Sequence, residues 1–160
     1  MRTLTKRDIA SKLNLPIRTI QLWTDQGIVD PDIRPAAGKG IARLYSERNA
    51  LEFAMVKILA KDFSYRLDCL RDMFTLLRDE PKESMDGFKG FFGDPAYGNS
   101  KEMLFIQSRS PGGLNRQLLQ IQEGQNPGEA AQSVFQDQED VDFSFLFLGR
   151  IKQKALQMLN

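Results

Sequence analysis

The chain has 160 residues, one cysteine, no histidine and a net charge of +1, with 41% hydrophobic residues. That length suits one domain, or a small domain with an appendage. The missing histidines exclude a Ser-His-Asp triad, a Cys-His pair and a His-based zinc site, and the lone Cys69 excludes an internal disulfide.

The net charge hides an asymmetry. Residues 1–78 carry 14 Lys/Arg against 9 Asp/Glu, and residues 79–160 carry 8 against 12, a split of +5 and −4. A basic front half points to a polyanion partner. No apolar run approaches the ~20 residues of a membrane-spanning helix, and the opening MRTLTKRD has no apolar signal-peptide core. The expectation is a cytoplasmic protein with no membrane association. No paired acids stand in a catalytic setting, so no enzyme activity, cofactor or metal is expected.

In chain order, Thr5 is an N-cap followed three residues on by Asp8, close to a capping box. Ile9, Ala10 and Leu13 then give a short apolar stripe, predicting a first helix over about 5–13. Asn14-Leu15 makes a turn. Pro16 suits the first turn of a second helix, Ile17, Ile20 and Trp23 share its apolar side, and Gly27 closes it. Two short helices joined by a tight turn are a helix-turn-helix candidate.

Pro31, Pro35, Gly38 and Gly40 punctuate the next stretch. Ile33-Arg34 and Ile41 to Tyr45 are predicted to pair as a hairpin with Lys39 at its tip, which makes a basic wing. Ser46 caps a third helix to about Asp62, with Leu51, Met55, Ile58 and Leu59 on one face. Ser64 caps a fourth, with Leu67, Leu70, Phe74 and Leu77 as its stripe and Pro81 as its end.

Residues 81–101 alternate Gly, Pro and aromatics with no period, and read as a linker or functional loop. The glycines of GFKGFFGDPAYG lack a GK[ST] ending, so a P-loop is not expected. Met103 to Gln107 and Leu114 to Gln122 read as hairpin strands and Phe143 to Leu148 as a third strand. Residues 123–133 form a loop or short helix, and the acidic run Gln136 to Asp142 a solvated loop. Gly149 turns the third strand into a last helix with Ile151, Ala155, Leu156 and Leu159 inward. The predicted fold class is α+β, in three parts: a helix-turn-helix domain over 1–80, a linker over 81–101 and a small sheet domain with a terminal helix over 102–160.

The order helix, turn, helix, wing, helix, helix resembles the MerR family of winged helix-turn-helix regulators. The residues carrying the likeness are LTKRDIASKLNLPIRTIQLWTDQGIVDP, GIARLYSERN and DFSYRLDCL, within residues 3–77. The resemblance implies a DNA-binding transcription regulator with double-stranded DNA as partner. Helix 2 would lie in the major groove, with Arg18 at its N-terminal end beside Thr19. Gln21, one turn on, would read an adenine or a phosphate. Trp23 stands where the family has a tyrosine and would pack near the backbone, with core or core-edge packing as its plainer role. Thr5 is mainly a cap with a secondary phosphate contact. Lys39 and Arg43 would contact the DNA backbone from the wing, ahead of Tyr45.

Activators of this family dimerise through a long helix after the fourth. Here Pro81 and a Gly-rich segment follow, so a homodimer is expected through residues 102–160 instead. The hairpin would cover one face of the third strand and the last helix the other. Phe88, Phe91, Phe92 and Tyr97 would pack at the edge of this domain or line a pocket for a small-molecule effector. Two other readings stay open. One is a phage-like architectural or excisionase protein, which also uses a winged helix. The other is a protein–protein adaptor whose helix 2 grips a partner protein.

Overall fold

The computed structural model describes residues 3–35, 42–79, 90–93, 95–110, 113–134 and 142–160. Lys39, Pro81, Phe88 and residues 136–141 of the acidic run lie outside them. The elements run α1 (Lys6–Lys12), α2 (Ile17–Asp25), α3 (Glu47–Asp62), α4 (Leu67–Asp79), α5 (Gly90–Gly93), β1 (Lys101–Ser110), β2 (Gly113–Gln122), α6 (Pro127–Ser133), β3 (Asp142–Phe147) and α7 (Leu148–Leu159). They fall into two units, Met1–Thr75 with Lys154–Asn160, and Leu76–Gln153.

In the first unit, local chemistry sets the helix ends. Thr5 and Asp8 form a reciprocal capping box, with the Thr5 N–H donating to Asp8 Oδ2 at 2.7 Å. Asn14 takes a positive φ of 48° and turns the chain, a conformation that asparagine tolerates better than most residues. Pro16 sits at the N-cap of α2, one position ahead of the helix proper. At the far end Gly27 has φ +68°. Its N–H donates to Thr24 O (3.0 Å) and the Ile28 N–H to Trp23 O (2.9 Å), which is a Schellman closure.

α3 is the centre of this unit. Leu51, Met55, Ile58 and Leu59 are buried as expected, but so are Ala50, Phe53, Ala54 and Val56. The helix therefore has no single apolar face, because neighbours cover it nearly all round. Ser64 does not cap α4. It takes φ +55° at the end of α3, the Tyr65 N–H closes back on Leu59 O at 3.1 Å, and the Leu70 N–H bonds Arg66 O, which places the start of α4 at Arg66-Leu67.

Among the described residues the predicted hairpin shows as single bridges. Arg34 pairs with Leu44, and Tyr45 turns to pair with Leu4. Arg34 Nε donates to Ala42 O (3.0 Å) beside the first bridge. A polar knot anchors this region to α3. Asn49 Nδ2 donates to Asp30 O (2.8 Å), Asn49 Oδ1 accepts from the Asp32 N–H (3.1 Å), and Asp32 Oδ2 accepts from Ser46 Oγ (2.5 Å). Asn49 also reaches the buried carboxylate of Glu52, which Arg48 pairs one turn away.

In the second unit the strands are longer than their apolar stretches, and their order is β2-β1-β3, all antiparallel. β3 is thus an edge of the same sheet and not a layer beneath the hairpin, because the free backbone edge of β1 accepts it. Leu104 lies between Leu119 and Phe147 in register. That face holds Ile106, Ile121 and, from α6, Ala130 and Ala131. α6 starts at an Asn126 cap followed by Pro127. Met103 and Phe105 are buried on the opposite face.

Gly149 falls inside the first turn of α7, not at a turn before it. A Cβ there would lie 2.6 Å from Gly98 N, and one on Gly98 (φ +89°) would lie 2.6 Å from Gly149 O. Glycine at both positions lets the 95–100 turn and α7 meet backbone to backbone. The Glu102 carboxylate accepts from the Gly149 N–H. Phe91 stacks edge-on to Phe92 (5.3 Å) and against Tyr97 (5.0 Å). Lys152, only 2% exposed, donates from Nζ to Phe91 O at 2.7 Å and lies over both the Phe91 and Tyr97 rings. Phe91, Phe92 and Tyr97 are therefore engaged in packing.

Replacing Asn49 with alanine removes the donor for Asp30 O and the acceptor for the Asp32 N–H in a buried setting. Asn49→Ala is expected to lower stability by about 1–3 kcal/mol, read as a drop in the urea midpoint. An unchanged midpoint would show that the knot does not hold this loop.

Candidate nucleic-acid interface

α2 has a buried side and an outward side. Ile20, Trp23 and Thr24 face the core. Trp23 is 5% exposed and stacks on Phe53 of α3 (centroids 6.4 Å apart). Tyr45 is 1% exposed, edge-on to the same Phe53 at 5.6 Å, with its hydroxyl 3.2 Å from Thr24 Oγ1. The family resemblance put Trp23 and Tyr45 among the DNA-binding candidates, with core or core-edge packing as the plainer role of Trp23. Both rings fill the core and not a DNA face, because large aromatic surface is best buried, and they position α2 and residues 42–45 through one shared partner.

The outward side carries Arg18, Gln21, Leu22 and Asp25, with Thr19 half-buried at its flank. Among the described residues Arg18 has no ion-pair or hydrogen-bond partner, and its five N–H donors stand toward solvent. Gln21 and Asp25 line a groove of about 550 Å³ whose other walls are Thr5, Lys6 and Arg7 at the start of α1 and Ala42, Arg43 and Tyr45. Among the described residues that line it, Lys6, Arg7 and Arg43 are cations and Asp25 is a carboxylate.

Arg43 is not free. Its Nη1 lies 2.5 Å from Asp25 Oδ1, which ties residues 42–45 to the last turn of α2. Thr5 spends its hydroxyl on the cap, donating to Asp8 Oδ2 at 2.8 Å, although it remains exposed at the groove. The structure thus brings Thr5, Gln21 and Arg43 around one groove, with Arg18 on the outward side of α2.

Two residues escaped the sequence reading. Ile17, assigned to the apolar stripe, is 42% exposed, and Leu22 is 45% exposed. The signal for Leu22 was available. Helix positions two apart point about 160° from one another at about 100° per residue, so a leucine two residues beyond the core residue Ile20 faces nearly the opposite way. No group of three or more acidic, Cys or His residues suited to a metal occurs among the described residues.

Burial of Trp23 separates a structural role from a direct contact. Trp23→Ala is expected to lower stability by about 3–5 kcal/mol in chemical denaturation. Retention of the parental midpoint with weakened DNA binding would return the ring to the interface.

Residues 4–76 match the sequence model of a family described as MerR HTH family regulatory protein. No curated protein matches the chain. No helix among the described residues is long and apolar enough to cross a membrane. The capped α1, the glycine-closed α2 with its polar outer side, and the groove beside them all lie within the matched span: the N-terminal part of this chain is a MerR-family helix-turn-helix domain, of the kind that DNA-binding regulators carry.

Proposed function

We propose that the chain is a sequence-specific transcriptional regulator that lays α2 in the major groove of duplex DNA. The observation that carries this reading is Arg18. It stands exposed near the start of a helix whose opposite side is fully committed to the core, which is where a recognition helix needs a base-reading or phosphate-binding cation. Lys6, Arg7 and Arg43 supply further positive charge beside it. Lys39 and Arg43, both between Arg34 and Leu44 in the sequence, act as the wing's backbone contacts. Arg18→Ala is expected to weaken binding to the preferred duplex by ~1–3 kcal/mol in fluorescence anisotropy at fixed salt. Equal affinity of variant and parent would remove Arg18 from the interface.

The exposed Ile17 and Leu22 support a second reading, a protein–protein adaptor that uses the same helix. The salt dependence separates them, since displacement of counterions from DNA gives a steep log–log slope and an apolar protein contact does not.

In this reading the second unit makes the chain a homodimer, matching two half-sites by two-fold symmetry. Leu114, near the start of β2, and Val134, at the end of α6, remain exposed, apolar surface that a second copy would cover. Sedimentation equilibrium of the full chain at micromolar concentration is expected to return twice the chain mass of 18.2 kDa. A single-chain mass would overturn the dimer.

A further inference from the structure

We infer that Leu22 reads the 5-methyl group of a thymine, which makes it a specificity-determining residue of α2. The inference rests on the duplex-binding reading above and adds to it the base feature that is recognised. Ile20, Trp23 and Thr24 define the buried side of the helix. At about 100° per residue, the direction opposite them passes between Arg18 and Leu22, with Asp25 and Gln21 to one side. Leu22 is therefore near the outermost line of the helix, where nearly half of it meets solvent.

An isolated exposed leucine is ordinary. This one is an apolar spot set among Arg18, Gln21 and Asp25, beside a groove rimmed by Lys6, Arg7 and Arg43. Its partner must bring negative charge on its flanks and an apolar group at its centre. The major groove has that pattern. Phosphates line its walls, and the thymine methyl is the apolar group among the hydrogen-bonding edges of the base pairs. An apolar patch on another protein would satisfy Leu22 and leave the surrounding cations unmatched.

The geometry also places the thymine. Leu22 lies four residues beyond Arg18, about 6 Å along the helix axis. Base pairs rise by about 3.4 Å, and helices that enter the groove at an angle place residues three or four apart on successive bases, so the methyl lies one to about two base pairs from the position that Arg18 contacts.

The test uses the full chain. Duplexes selected from a random library define its preferred site, and deoxyuridine then replaces thymidine one position at a time, which removes the methyl alone. Roughly a fourfold loss of affinity is expected at one thymine per recognition helix, the worth of one buried carbon, one to about two base pairs from the position whose preference relaxes in Arg18→Ala. Leu22→Ala should bind the thymine and uracil duplexes equally, with an unchanged thermal midpoint and salt slope, and Leu22→Met should keep part of the discrimination. A parent that binds tightly but gives a flat uracil series overturns the inference and leaves duplex binding standing. Methyl sensitivity that survives in Leu22→Ala also overturns it. Failure of the parent to select any duplex overturns both the inference and the duplex-binding reading.

Discussion

Everything in the first unit that faces outward depends on one ring facing inward. Phe53, in the middle of α3, takes Trp23 on one side and the edge of Tyr45 on another. The first contact fixes the roll of α2, and the second fixes residues 42–45. Because both lean on one side chain, the two walls of the groove cannot shift independently without opening space around it. Interiors close-packed to this degree resist such displacement. The hydrogen bond between Tyr45 and Thr24 links the two walls directly and sets their spacing behind the groove.

The polar knot around Asn49 does the same for the far side. It connects Asp30, Asp32, Ser46 and Glu52 at the start of α3. Buried polar groups are costly unless satisfied, so this cluster is stable only in an arrangement that pairs its members. By contrast, the Arg43–Asp25 pair is partly exposed on both sides, and exposed pairs contribute little to stability. Its consequence is geometric. It holds a guanidinium at the groove, with one N–H committed to Asp25.

Much of the first unit was legible because its helix ends are written in single residues. Thr5 with Asp8, Ser46, Pro16 and Gly27 each act on their own backbone neighbourhood, and such signals survive in the sequence. Ser64 misled because serine serves either as an N-cap or, more rarely, at a left-handed helix end, and only the tertiary context decides. The core role of Trp23 was legible from its place on the apolar side of α2, whereas Tyr45 carried only the DNA-facing role that the resemblance implies, although its bulk favours the interior. The outward place of Leu22 was hard to read because a single apolar residue among polar ones gives no periodic signal of its own. In the second unit the strands were legible from their apolar runs, but the order β2-β1-β3 was not, since pairing partners distant in sequence leave no local trace. The mutual need of Gly98 and Gly149 is of the same kind: each is glycine because of the other's backbone.

α2 is nine residues long, too short to be stable as an isolated helix. Its form comes from the capped α1 before it, the Schellman closure after it and the burial of Ile20, Trp23 and Thr24. None of these involves Arg18, Gln21 or Leu22. The residues that hold the helix and those proposed to meet DNA are therefore almost disjoint sets, divided by the helical period itself. Asp25 and Thr5 are the exceptions, one joined to Arg43 and the other capping α1. A helix organised this way can change what it recognises at three outward positions with little effect on the fold. A change on its inner side would act on stability first and on recognition only through it.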